Sequence, residues 1–239
     1  DNIVGTALND TFNAINDGTG GSNLSTLTAS DVINGAGGSN DVLSITATAN
    51  TTADALGGAS VSGIEVVNIR ALSAVALDAS QISGLTSVNA DRATSALTVT
   101  NLAAGASAGI LGNGTITNSN LTFGYKTASS AATLSVANGT TAGNVTISTT
   151  PAAVTINSTG AANTIGTVAL GGAATGLTVN ATSNLTSGNI TGFTGTAAKI
   201  TVAGLAASVT LGTIENATVK TIDASGLTAG GITATLSTN

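Results

Sequence analysis

The chain has no cysteine, histidine, methionine or tryptophan, one proline, and only 2% aromatic residues among 239. Without cysteine no disulfide can staple the fold, so stability must come from hydrogen-bonded sheet, packing and bound ions. Without histidine and cysteine the commonest acid–base group and the most nucleophilic side chain are missing, and Lys and Arg number five in all. This inventory reads as a protein that is not an enzyme. A calcium-assisted polysaccharide lyase would need clustered acids beside a basic proton acceptor such as Arg70 or Arg92, and nothing in the sequence brings either to Asp41. No run of 18 apolar residues occurs, because Gly, Thr, Ser or Asn interrupts every stretch, so no membrane-spanning helix is expected. A membrane β-barrel needs two aromatic girdles, which Phe12, Phe123, Tyr125 and Phe193 cannot supply.

Charge is scarce and uneven. Charged residues make up 7% of the chain, the net charge is −6 and the pI about 4.1. Asp1, Asp10, Asp17, Asp31, Asp41, Asp54 and Glu65 all precede the first basic residue, Arg70, and no acid occurs from Arg92 to Ile214. Nucleic-acid binding requires clustered Lys and Arg and is not expected. A mean hydropathy of +0.42 argues against a solvated, disordered chain. The contrast divides the sequence into an acidic segment, 1–91, and a charge-poor Thr/Ala/Gly-rich domain, 92–239. The opening at Asp1, with neither Met nor a signal peptide, reads as an excised fragment or a processed product.

What is abundant is β-sheet patterning. Leu97–Thr100, Leu134–Val136, Val145–Ile147, Val154–Ile156, Leu177–Val179, Ile200–Val202, Val209–Leu211 and Ile232–Ala234 alternate apolar with small polar residues, the period of a strand. Asn-Gly and Gly-Gly turns such as Asn138-Gly139 and Gly171-Gly172 separate them. The expected class is all-β, either a solenoid-like stack of short strands or a β-sandwich. Small side chains suit layers about 4.8 Å apart, sandwich-anchoring aromatics are nearly missing, and Asn and Gly fill the turns, so the solenoid is favoured. Uneven strand spacing is the objection. One short helical turn is expected near Leu24–Ser30. A solenoid would also leave unpaired strand edges at its ends.

Two turns carry the most specific chemistry: Gly5-Thr6-Ala7-Leu8-Asn9-Asp10-Thr11-Phe12, and Asp31 to Leu43, which contains Asn34-Gly35-Ala36-Gly37-Gly38-Ser39-Asn40-Asp41. Each ends in aspartate, one residue, then a large apolar residue that the strand alternation turns inward. Glycine lets the backbone turn tightly and aim carbonyl oxygens inward, and aspartate adds a hard anionic oxygen. Ca²⁺ takes six to eight such oxygens. The alternative is that Asp and Asn bond their own turn backbone. Asp17, Asp54 and Glu65 are weaker candidates, and Glu65 could instead pair with Arg70.

Gly5–Phe12 resembles the opening repeat of RTX proteins, the glycine-rich, calcium-binding bacterial exoproteins, and Asp31–Leu43 resembles their Gly-Gly-x-Gly-x-Asp-x-hydrophobic nonapeptide. Val61–Ile69 (VSGIEVVNI) and Ser83–Asn89 are similar to segments of the RTX-type surface-layer proteins of Gram-negative bacteria. The likeness covers about residues 3–91. Asn34 stands where the nonapeptide has its first glycine, Gly38–Asn40 lengthen the turn, and only one such unit is present, so a long row of ions is not expected. The resemblance implies ligation by Asp10 and Asp41, backbone carbonyls at Gly35 and Gly37, Asn9 as a neighbour, and Asp31 from a preceding half-repeat. It also implies Ca²⁺ as cofactor, type I secretion and assembly of many copies into a sheet around the cell.

The expected function is therefore a structural segment of a secreted bacterial surface-layer or extracellular matrix protein that self-assembles with Ca²⁺. Its partners would be other copies of itself, with a cell-surface polysaccharide as anchor. The alternative is an adhesin domain that binds glycans, for which Phe123–Tyr125 is the one aromatic candidate. Thr-x-Thr triplets such as Thr98–Thr100 and Thr115–Thr117 fall too irregularly for an ice-binding array. The Asn-x-Thr sequons are what this composition produces by chance.

Overall fold

A computed structural model describes residues 1–17, 24–48, 54–127, 131–149, 151–194, 197–214 and 219–237. Every pair of strands in it is parallel. Parallel pairing rules out the antiparallel sandwich; the chain winds as a β-solenoid of about 8 turns.

The spine is a ten-stranded sheet built up by successive coils, from Thr11–Asn16 to Val219–Leu227. Strand alternation sends every second residue inward, and parallel register stacks those residues in files. Phe12, Leu43, Val67, Val88, Ala108, Leu134, Ile156, Val179 and Val202 form one such file. All but the half-buried Phe12 are buried. Outward columns carry small polar residues, among them Thr133, Thr155, Thr178 and Thr201.

The remaining sides change along the axis. In the first coils a four-stranded sheet closes the cross-section: Asn2–Val4, Val32–Asn34, Ser60–Ser62 and Ile82–Ser83. It stops there. From Thr117–Asn118 onward a different short side appears, continued by Thr141–Ala142, Asn163–Ile165 and Leu185–Ser187, and belongs to the twelve-stranded sheet. The switch falls around the 91/92 division, yet the ten-stranded sheet and the core cluster pass through it unbroken.

At the corner of the later coils Gly143, Gly166, Gly188 and Gly212 stack. Gly166, Gly188 and Gly212 each donate their amide to the carbonyl of the glycine below, at 3.0, 3.1 and 3.2 Å. A Cβ on Gly212 would lie 2.6 Å from the Gly188 carbonyl, so close backbone approach demands glycine here. Among the described residues the only helical turn is a 3₁₀ turn at Ala79–Gln81. The helical turn expected at Leu24–Ser30 is not formed: that stretch holds one isolated turn, closed by the Asp31 amide on the Thr28 carbonyl (3.0 Å), with Leu27 buried and its amide bonded to the Ile15 carbonyl.

Candidate metal-binding corner

The two glycine–aspartate turns lie one above the other. Gly5 donates its amide to the carbonyl of Asn34 (2.8 Å), Gly37 to that of Thr6 (3.0 Å), and Ser39 to Oδ1 of Asn9 (3.2 Å). Strand register places Asp10, Asp41 and Glu65 in one column, each directly before a rung: Thr11, Val42 and Val66. The three carboxylates form a chain of caps. Asp41 Oδ1 accepts the amide of Asp10 (2.7 Å), Glu65 Oε2 accepts that of Asp41 (2.8 Å), and Asp10 Oδ2 accepts the amide (2.6 Å) and hydroxyl (3.1 Å) of Thr6. Asp41 is 1% exposed.

Glycine makes the room. A Cβ on Gly5 would meet the Gly35 carbonyl oxygen at 2.5 Å and Asp10 Oδ2 at 2.7 Å. A Cβ on Gly38 would meet Asp41 Oδ2 and the Leu8 carbonyl oxygen, each at 3.0 Å, and Asp41 Oδ1 at 3.1 Å. Carbonyl and carboxylate oxygens thus converge on the space a side chain would fill, and hard oxygens of this kind suit Ca²⁺. Among the described residues no three acidic side chains cluster tightly enough to hold a metal alone, so an ion here would depend on the carbonyls. The same carboxylates already accept amide hydrogens, which is the turn-bonding alternative.

Of the other sequence candidates, Gly35 and Gly37 belong to this corner, whereas Asp31 and Asp54 lie elsewhere. Gly35 is buried within the corner, and Gly37 packs 3.6 Å from Ala7 Cα. Asp31 lies at the opposite end of Val32–Asn34, at a different corner of the coil. There its Oδ1 meets the ammonium of Asp1 (2.6 Å) and its Oδ2 accepts from Thr28 N (2.6 Å) and Oγ1 (2.9 Å). The ammonium and Thr28 hold its carboxyl below the usual range. Asp54 caps its own turn through Leu56 N (3.1 Å). Glu65 is in no ion pair with Arg70 among the described residues; it caps Asp41 instead. Its membership in the column has a sequence signal, an acid followed by one residue and then an apolar strand residue, as at Asp10 and Asp41.

The aromatic pair faces inward. Phe123 is 0% and Tyr125 3% exposed, and the Tyr125 hydroxyl donates to the Ala106 carbonyl (3.1 Å), so neither ring is offered to a sugar. No protein-family model, curated protein or solved structure matches the chain.

Proposed function

We propose that this chain is a structural segment of a secreted bacterial surface-layer or extracellular matrix protein, exported by type I secretion, whose copies assemble with Ca²⁺ at the cell surface. The observation that carries the reading is the convergence of Asp41 Oδ1 and Oδ2 and the Leu8 carbonyl beside Gly38. Asp10 and Asp41, with the carbonyls of Leu8 and Gly35, would hold the ion. Bound there, Ca²⁺ would supply positive charge to an otherwise all-anionic column. The chain's own groups do the rest. Asp10, Asp41 and Glu65 tie three successive coils through the amides of Asp10 and Asp41, Gly5, Gly35 and Gly38 keep side chains out of the space beside the oxygens, and the charge-poor coils beyond Arg92 present faces that pack without repulsion. Neighbouring copies are the principal partners, with a cell-surface polysaccharide as anchor. Size-exclusion chromatography and electron microscopy in millimolar Ca²⁺ and in EDTA test this: ordered polymers should form with calcium and dissolve in chelator, and polymers unchanged by EDTA would contradict it.

A further inference from the structure

The first strand of the spine sheet, Thr11–Asn16, pairs on one side alone, with Val42–Ala47. The Val42 amide donates to the Asp10 carbonyl (2.9 Å) and the Thr48 amide to that of Asn16 (3.0 Å). The even-numbered residues thus turn their main-chain groups to the next coil. Those groups alternate along a parallel strand, so Thr11, Asn13, Ile15 and Asp17 turn theirs to the outer edge.

The chain returns over half of that edge. Ile15 donates its amide to Thr26 Oγ1 (2.9 Å), and its carbonyl accepts the amides of Thr26 (2.9 Å) and Leu27 (3.2 Å). Asp17 donates its amide to Ser25 Oγ (2.8 Å), and that hydroxyl donates back to the Asp17 carbonyl (3.0 Å). Two hydroxyls and two amides stand where a neighbouring strand would sit. Leu27 anchors the segment from within: it is 1% exposed and belongs to the core cluster. Ile3, which heads the file of Ile33, Val61 and Ile82 at the same end, is 44% exposed. On its other side the segment rests on two left-handed glycines of the next coil. A Cβ on Gly57 would lie 2.9 Å from the Leu27 carbonyl oxygen, and one on Gly58 3.1 Å from Ala29 Cβ. Thr11 and Asn13, on the uncovered half of the edge, are exposed and uncharged.

We infer that Ser25–Leu27 is a blocking strap, which keeps a strand of a second copy from adding to the first rung of the spine. An uncovered edge of this kind templates strand addition, and ten strands already stack in this sheet by the same parallel pairing. With the strap in place, an incoming strand meets main-chain groups at Thr11 and Asn13 and finds those of Ile15 and Asp17 taken. Copies that assemble do so through other faces. The inference stands apart from the calcium reading, because the strap's bonds involve neither Asp10, Asp41 nor Glu65.

The test uses the full chain in EDTA, with two readouts: amide hydrogen exchange and sedimentation. In the parent, the amides of Ile15 and Asp17 should exchange slowly and those of Thr11 and Asn13 fast. Thr26→Val, which removes the acceptor of the Ile15 amide, should speed exchange there about five- to tenfold, the worth of one hydrogen bond. Thr26→Ser should leave it unchanged. Ser25→Gly, Thr26→Gly and Leu27→Gly together should release the strap and give a mass that rises with concentration. Adding Asn13→Pro, which removes an amide from the same edge and is tolerated on an edge strand, should restore the parent's mass. Where the triple variant fails to fold, Thr26→Val against the parent carries both readouts. Exchange at Ile15 as fast as at Thr11 in the parent, a folded triple variant that does not associate, or association indifferent to Asn13→Pro would overturn the inference. A parent that stays polymeric in EDTA would count against the calcium reading alone, since exchange at Ile15 still reports on the strap.

Discussion

The main-chain amide of Asp10 donates to Oδ1 of Asp41 at 2.7 Å, joining residues 31 apart in sequence and one coil apart in space. The bond assigns Asp41 a structural duty that exists with or without a metal. An asparagine would keep the accepting oxygen and drop the charge. An alanine would drop both and leave an amide beside a buried position without its partner.

Measured in EDTA, Asp41→Asn should therefore keep stability within about 1 kcal/mol of the parent, and Asp41→Ala should cost about 1–3 kcal/mol. Urea unfolding of the three proteins checks this. Equal losses for both variants would mean that the charge itself, and not the cap, holds the corner.

Asn163, at a different corner of the later coils, also caps an amide of the coil below, and it is 1% exposed. Its Oδ1 accepts from Thr140 N (2.9 Å), while Nδ2 faces Ser158 Oγ (2.9 Å) and the carbonyls of Thr159 (3.1 Å) and Val136 (3.2 Å). Asn163→Asp would bury a carboxylate against those carbonyls at a cost of about 3–5 kcal/mol, as for an uncompensated buried charge. Asn163→Ala should cost less, about 1–3 kcal/mol for the orphaned partners. Thermal and urea unfolding should rank Asp below Ala; the reverse order would contradict the donor assignment of Nδ2.

Asp223 gives a pH signature. Hydrogen bonds from the Ser225 hydroxyl, then Lys199, lower its pKa to about 2. A carboxyl more acidic when folded stabilises the fold above its unfolded pKa, and that contribution fades as pH falls through the folded value. Stability should thus drop between about pH 4 and pH 2. Asp223→Asn should flatten part of that slope, and added salt should shrink the difference because Lys199 and Asp223 are both substantially exposed. Identical pH profiles for parent and variant would sink the assignment.

Period-two alternation made the strands legible: Leu134–Val136, Ile156 and Val179 sit in the core as patterned. Acid-x-apolar endings marked Asp10 and Asp41 as corner residues. The parallel stacking was harder to read because coil length varies: Thr11 pairs with Val42, 31 residues on, Ser87 with Ser107, only 20 on, and Thr155 with Thr178, 23 on. In the later coils the length settles, and an outer file, Thr117, Thr141, Thr164, Thr186, Thr210 and Thr233, recurs every 22–24 residues and is in register across the strands. That file is one residue wide, with Gly143, Gly166 and Gly188 two positions further along the chain, and so is not a two-dimensional threonine array. Asp31 misled for a physical reason: three intervening strand residues carry the chain across a whole side of the coil, so nearness in sequence to Asp41 does not bring the two to one corner.

The most direct test is the unfolding temperature of the parent and of Asp41→Asn, each in EDTA and in 5–10 mM Ca²⁺, about the concentration at which a millimolar site fills. The parent should gain several degrees with calcium while Asp41→Asn gains almost none, although the two unfold together in chelator. A parent whose unfolding temperature is the same in both buffers would contradict metal capture at this corner and leave its aspartates as backbone caps alone.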